Sequence, residues 1–470
     1  MRHFLPCAVL VLTVLSACGG LDVEQPKPKP TPAQKHGIDY LYDGTTIPEM
    51  HLLVSPAQWN SLLTAYDANN NTKQHIACDV TYIKGADTTV VTSAALRLRG
   101  NTSRRRPEGS TGEMHRSSST NWHHCHYQVN FHKTVKDDDH KIHGAKKVTL
   151  KWFKDDPAYV RELYCYDLFR RAGVWTGAYS AYCRLFIRVA GDPKEAYLGV
   201  YNMIEPIDDD YLKVREEQFG SADGFLWKCR WGARLKYTST DIGADLGTEE
   251  EHTYELKTHV DSLDIAKAQL QDFIGKLNSL KGQEFLEWTR RVMDTDLLLM
   301  TYAVNVAVGM WDDYWNNCNN YYLYFNSVDP TNYKVFFIPF DYDNTLGTSA
   351  QCGVQSDSGR QDPLNWGDSK NNPMIYKLLQ ISSYNETYKE DLLYLADGAN
   401  GLLDRVASVI RVRAWQESIR PYVSNDTGED MKISDRPASW SNHREYRLAE
   451  YGDNNFFAVK TNSIKQYCTK

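Results

Sequence analysis

The sequence predicts a two-lobed α+β protein, with a β-rich N-terminal lobe and a mainly helical C-terminal lobe. Three observations carry that fold class. Short runs of alternating polarity, broken by turn residues, fill the first half as far as about Cys229. Segments with helical spacing dominate the last third. Between Trp311 and Gly347, two acidic turns flank a single apolar strand. A β-rich half followed by a helical half is the pattern of segregated layers rather than of alternating βαβ units.

In chain order, Arg2 and His3 precede an apolar run from Phe4 to Leu15, which ends in Leu15-Ser16-Ala17-Cys18-Gly19-Gly20. A basic start, a short apolar stretch and small residues before a cleavage point read as a secretory signal over residues 1–17, too short to remain as a span. The ending is similar to a bacterial lipoprotein box, with Cys18 as the lipidated first residue of the mature chain. The alternative is ordinary cleavage beside an incidental cysteine. Residues 18–36 are rich in Pro and Lys and lack apolar periodicity, so they read as an extended tether. No later stretch holds eighteen uninterrupted apolar residues, and lipid is the only membrane anchor expected.

Folded sequence begins near Ile38, and residues 37–229 make up the expected β-rich lobe. Ile47 to Val54 reads as a strand, and Ser55-Pro56 opens a short helix through Tyr66, since Pro is favoured in a first turn. His75 to Ile83 and Thr88 to Arg99 follow as strands. The second ends in Leu96-Arg97-Leu98-Arg99-Gly100, which implies one buried face and one basic face. Pro107 to Trp122 is poor in apolar residues and is expected to be a flexible excursion. Tyr127 to Phe131 resumes a strand. Asp155-Asp156-Pro157 opens a helix through Gly173, and Cys183 to Val189 and Tyr197 to Ile204 alternate like paired strands. Residues 230–470 form the expected helical lobe, with helices over Leu263 to Leu280, Gln283 to Val308, Met374 to Leu379 and Tyr388 to Tyr422, the last broken near Gly398 to Gly401. The strand from Tyr333 to Phe340 carries the acidic turns. No internal repeat is present.

Composition sets the class. Hydrophobic residues at 42% and charged residues at 24% describe a globular protein. A net charge of −7 with pI near 6.1 gives no global reason to expect nucleic acid. The chain has 30 Tyr and 12 Trp, which suits wet grooves as well as large β-domains. Of its 10 cysteines, Cys7 falls in the leader and Cys18 is the expected lipidation site, and the remaining even number permits disulfides in an exported protein. No CxxC pair occurs, so structural zinc is not expected.

Several clusters carry chemistry. Asp312 and Asn317 are five residues apart, the separation between base and metal-holding Asn in a protein-kinase catalytic loop. Asp341 and Asp343 sit just past a strand end, where one turn can aim two carboxylates at a hard cation. Two polar turns around a hairpin would also account for these residues. Arg99, Gly100, Asn101 and Ser103, followed by Arg104 to Arg106, offer backbone N–H groups, hydroxyls and guanidiniums to phosphate, or else form a basic hairpin tip. Glu205, at a strand end, can bridge a Lys or Arg on another strand, or pair with nearby Lys213. Lys228 can reach into a cleft or snorkel to the surface. In His123-His124-Cys125-His126, strand alternation lets only His124 and His126 share an ion.

These segments resemble the CotH family of secreted atypical kinases, the spore-coat-type proteins. The matching stretches are LRLRGNTSR, DDPAYVRELYCYDLFRRAGV, YLGVYNMIEPIDDDYL, GFLWK, WDDYWNNCNNYYLY and IPFDYDNTLG, from about Ile47 into the C-terminal helices. The resemblance implies a kinase-like two-lobed fold and transfer of the ATP γ-phosphoryl, with Mg²⁺ or Mn²⁺, to Ser or Thr hydroxyls of a Ser-rich secreted or surface protein. It implies Asp312 as catalytic base and Asp341 and Asp343 as metal carboxylates. Asn317 or Asn320 would be the metal-holding Asn, Arg99 to Ser103 the phosphate loop, and Glu205 the supporting carboxylate. The chain departs from the pattern where relatives carry a Lys-rich segment before the strand that reads YQVNF here. His124-Cys125-His126 stands there instead, so phosphate needs another cation, Arg99 or Lys228. The competing class is a surface adhesion or binding protein, or a pseudokinase, that keeps the fold. What separates the classes is whether Asp312 and Asp341 converge.

Overall fold

A computed structural model describes residues 37–101, 103–137, 139–236, 241–348, 357–367, 372–435 and 446–469. The leader, Cys18 and the tether lie outside the described residues. The chain is a mixed α+β protein, and its N-terminal strands form a closed barrel. After a short helix, α1 (Ile38–Leu41), come β1 (Glu49–Val54), α2 (Pro56–Ala68), β2 (Ile76–Lys84), β3 (Asp87–Arg99), β4 (His126–Asn130), β5 (Lys147–Trp152), α3 (Arg161–Arg171), β6 (Ser180–Val189) and β7 (Ala196–Ile204). The barrel order is β1-β2-β3-β4-β5-β7-β6, sealed by parallel pairing of β1 with β6. Closure leaves no exposed sheet edge.

Helices α4 (Asp209–Val214) and α5 (Glu216–Phe219) lead to a second sheet of order β12-β11-β8-β10-β9. Its strands are β8 (Phe225–Cys229), β9 (Ile242–Ala244), β10 (Tyr254–Leu256), β11 (Tyr321–Phe325) and β12 (Val335–Pro339). Around them lie α6 (Leu263–Ser279), α7 (Gly282–Val292), α8 (Thr295–Ala307), α9 (Pro373–Leu378), α10 (Ser382–Ala396), α11 (Arg405–Ile419) and α12 (Phe456–Cys468). Both faces of this sheet are covered. Trp227, Leu323 and Phe337 join the large helical core, while Leu226, Tyr322 and Ile338 pack with Tyr211 and Phe219. Strands buried on both faces read as continuous apolar runs, which is how KVFFIPF appears in the sequence.

The expected elements mostly stand; β9, β10 and α12 are among those the sequence does not announce, and three further differences stand out. The helix expected over Gln283 to Val308 breaks at Met293, because Asp294 caps a new helix by accepting from the Leu297 N–H at 3.1 Å. The excursion between Pro107 and Trp122 is clamped rather than loose. Arg106 pairs with Asp67 at 2.8 Å, Trp59 Nε1 donates to Glu108 at 2.7 Å, and His115 bridges Glu108 and Asp192 at 2.9 and 3.0 Å. The third difference is β5, which the sequence reading left unassigned. Lys147 and Lys151 interrupt its apolar pattern, yet Val148 to Trp152 are all buried.

No disulfide joins Cys78, Cys125, Cys165, Cys183, Cys229 or Cys468; Cys352 lies outside the described residues. Burial pushes the thiols of Cys78, Cys125 and Cys183 up to about 12, so they behave as inert apolar side chains. No helix among the described residues is long and apolar enough to cross a membrane.

A buried lysine braces the end of α12. Lys460 donates to the Ser358 carbonyl at 2.9 Å and stands 4.2 Å over the Trp366 ring, whose Nε1 donates to the Met310 carbonyl just before Trp311. Burial holds its pKa down to about 7. Between that value and the ordinary lysine value the unfolded chain binds the extra proton, so this group makes stability rise with pH across that window. Lys460→Met should stabilise the protein at pH 7 by on the order of a few kcal/mol. Chemical denaturation at pH 7 and pH 10 should show the gain shrinking at the higher pH. An equal gain at both would contradict the assignment.

Candidate active site

Lys151 is the hub. It lies on β5, buried, and its ammonium contacts three carboxylates: Glu162 at 3.1 Å, Asp343 at 3.1 Å and Asp341. Glu162 is the second residue of α3 and is also buried, with Asn202 Nδ2 donating to it at 3.3 Å. Burial disfavours the charge on Lys151, but the three acids outweigh it and raise its pKa well above the usual lysine range. Three carboxylates against one ammonium leave a formal balance of −2 if all are ionised. Burial accordingly lifts Asp343 to about 7, helped by Asp341 and Glu162. Asp341 is held below the ordinary range, because Lys151, Arg99 and Lys228 together exceed its own burial cost.

Helix α3 places the second acidic turn as well as Glu162. Its start is set by Asp156, which accepts from the N–H groups of Val160 and Arg161 at 2.9 Å each and pairs with the Arg161 side chain. Arg161 Nε donates to the Thr345 carbonyl at 3.2 Å, and the Tyr166 hydroxyl accepts from the Asp341 N–H at 3.1 Å. Asp341 has φ of +64°, a left-handed conformation that is uncommon outside Gly and concentrates at functional turns.

The first acidic turn splits its two aspartates between two jobs. Asp313 is buried and points into the core, where Asn305 Nδ2 donates to it and the Asn316 N–H donates at 2.9 Å. Burial raises it to about 7. Asp312 is half-buried and accepts from three side-chain amides: Asn317 at 2.6 Å, Asn320 at 3.1 Å and Asn319 at 3.3 Å. Burial raises its pKa, the amides pull it back, and the charge of Asp341 raises it further. Asp312 and Asp341 therefore lie close enough to influence each other electrostatically.

The expected phosphate ligands divide. Arg99 acts electrostatically on Asp341, Glu162 and Lys228. Lys228 lies on β8, half-buried, with Nζ 5.4 Å from the Phe340 ring centre. Burial, together with Arg230, Lys257 and Arg99, holds its pKa well below normal. Neither Arg99 nor Lys228 has a carboxylate at ion-pair distance among the described residues. Gly100 has φ of +107°, and a Cβ there would lie 2.5 Å from Ser103 Oγ, so only Gly permits this turn. Asn101 is exposed and Ser103 half-buried beside it. The following arginines are committed elsewhere: Arg104 to the Gly100 carbonyl at 2.7 Å, Arg105 to Glu429 at 2.7 Å, and Arg106 to Asp67.

Glu205 corrects the expectation for the supporting carboxylate. It is buried in a bidentate pair with Arg215, at 2.7 and 2.8 Å, and also accepts from the Tyr179 N–H. Glu162 is the carboxylate that holds the strand lysine. Likewise, the missing Lys-rich segment is answered on β5 by Lys151, which sequence reading passed over. One ring nitrogen each of His124 and His126 is taken by backbone. His124 Nε2 bonds the Leu198 carbonyl at 2.8 Å, and His126 Nδ1 accepts from the Trp152 N–H at 3.0 Å.

A strand lysine paired to a helix glutamate, beside a turn carboxylate, is the arrangement with which protein kinases align ATP phosphates and their metal. A family model described as CotH kinase protein matches residues 96–455, a span that holds Arg99, Lys151, Glu162, Asp312, Asp341 and Asp343. No curated protein matches the chain.

Proposed function

Because the chain belongs to the CotH kinase family, we propose that it is an exported, lipid-anchored protein kinase. It would transfer the ATP γ-phosphoryl to Ser or Thr hydroxyls of a Ser-rich secreted or surface protein. The observation that supports this most is the convergence of Lys151, Glu162, Asp341 and Asp343 on one point, with Asp312 within electrostatic reach. The barrel would serve as the smaller lobe and the helical sheet assembly as the larger.

The donor set fits a hard divalent ion, since Asp341 and Asp343 offer partly buried carboxylate oxygens in a cluster with excess negative charge. Asp341, Asp343 and the amide oxygen of Asn317 or Asn320 would hold Mg²⁺ or Mn²⁺. Such an ion, when bound, neutralises charge on the β- and γ-phosphate oxygens. The chain's own residues do the rest. Glu162 orients Lys151 toward phosphate, while Arg99 and Lys228 are further basic groups around the acidic cluster. Asp312 accepts the acceptor hydroxyl's proton or aims that hydroxyl, and its three amide donors fix the carboxylate in place.

Purified protein incubated with labelled ATP, Mg²⁺ or Mn²⁺ and a Ser-rich protein should incorporate phosphate. Arg99→Ala and Lys228→Ala should each weaken ATP binding by about 10-fold, the loss expected for one charge-assisted contact. In a parallel fractionation, Cys18→Ser should leave the membrane fraction or remain unprocessed. No ATP binding at millimolar concentration would return the fold to a binding or adhesion role.

A further inference from the structure

Helix α8 reads TDLLLMTYAVNVA and is apolar nearly all round, yet it carries Asn305 at 0% exposure. A buried amide costs stability unless both its ends are bonded, and a Leu or Ala there would pack without that cost. Asn305 is satisfied by two different loops. Its Nδ2 donates to Asp313 Oδ2 in the first acidic turn. Its Oδ1 accepts from the Tyr342 hydroxyl at 2.9 Å, and Tyr342 lies between Asp341 and Asp343 in the second.

The contacts continue on both sides. The Asp313 carbonyl accepts from the N–H groups of Asn317 and Asn319 at 3.0 and 3.1 Å, which sets the loop whose amides reach Asp312. Tyr342 is fixed edge-on to Phe169 of α3 at 4.9 Å, and the Leu346 N–H donates to the Val308 carbonyl at 2.7 Å at the end of α8. One buried amide thus joins the two acidic turns.

We propose that Asn305 is a positioning residue that sets the separation between the Asp312 carboxylate and the Asp341–Asp343 turn. The proposal builds on the kinase reading but predicts a mechanical coupling that can be measured without activity. If Asn305 ties the two turns, loosening one should loosen the other. Tyr342→Phe keeps the ring and removes only the hydroxyl. It should speed amide hydrogen exchange within Trp311 to Asn320 as well as within its own turn. Asn305→Leu should do the same in both segments.

In the transfer assay both variants should lower kcat on the order of 10- to 100-fold, because misplacement by about an ångström is enough to lose that much. ATP affinity measured without divalent metal should change far less, since Arg99, Lys228 and Lys151 are untouched. Asn305→Asp alone sets two carboxylates against each other and should be worse. Combined with Asp313→Asn, it exchanges donor and acceptor across the same bond while still accepting from Tyr342, and should recover both exchange protection and kcat. Faster exchange confined to the turn that was altered, or no recovery in the exchanged pair, would overturn the proposal. If Asn305→Leu fails to fold, Tyr342→Phe still decides it. If the wild-type protein transfers no phosphate, the kinase reading fails while the exchange measurement still judges the strut.

Discussion

Replacing Lys151 with methionine is expected to lower phosphoryl transfer by on the order of 10²- to 10³-fold, the usual cost of removing one preorganised charge from such a site. It should also unsettle the fold. Without the ammonium, the buried Glu162 faces the half-buried Asp341 and Asp343 with no counter-ion, and leaving the buried Glu162 charge unpaired costs up to about 3–5 kcal/mol. The pH dependence follows from that repulsion. In the variant, all three carboxylates have folded pKa values above their unfolded ones, so stability is gained as pH falls toward 5 and lost as it rises through 7. Mg²⁺ should restore neutral-pH stability, because a divalent ion that binds only the folded state stabilises by mass action. Thermal unfolding at pH 5 and pH 7.5, with and without Mg²⁺, measures each effect. A variant as stable as wild type at pH 7.5 without metal would mean that Lys151 does not balance those carboxylates.

The second large effect separates two acids that look alike in the sequence. Asp341→Asn is expected to abolish Mg²⁺-dependent ATP binding, since a neutral amide cannot replace a carboxylate facing a divalent ion. It also removes the strongest partner of Lys151. Asp312→Asn should leave ATP affinity nearly intact and reduce transfer by about 10²- to 10⁴-fold, the contribution of a positioned general base. Among the described residues the half-buried Asp312 carboxylate is bonded only to amides, whereas Asp341 is bonded to the lysine that would approach phosphate. Calorimetry for binding and phosphate incorporation for transfer distinguish the two. Equal loss of binding in both variants would merge the roles.

Much of the site was legible because its acidic residues come in local patterns. WDDYWNNCNN places an aspartate and its amide donors within one loop, and their hydrogen bonds span only five to eight residues. FDYDN follows a continuous apolar run, the mark of a strand buried on both faces. LRLRG ends in the one residue type that tolerates φ of +107°. Glu205 misled for a related reason: a carboxylate at a strand end has many possible partners, and Arg215 took it.

By itself the sequence determined the α+β class, the strands and helices with clear period, and the two acidic turns. Only the tertiary structure decided which cation and which carboxylate meet. Lys151 and Asp341 are 190 residues apart, and Lys151 sits in KVTLKW, where a lysine reads as a surface group. Glu162 looks like any acidic residue in a first helical turn, and Asn305 like a blemish in an apolar helix. Each acquires its role from a partner that local periodicity cannot name. Burying a charge or an amide is tolerable only when the fold supplies its complement, and that complement arrives through packing of the barrel, α3 and α8 against turns far away in the chain.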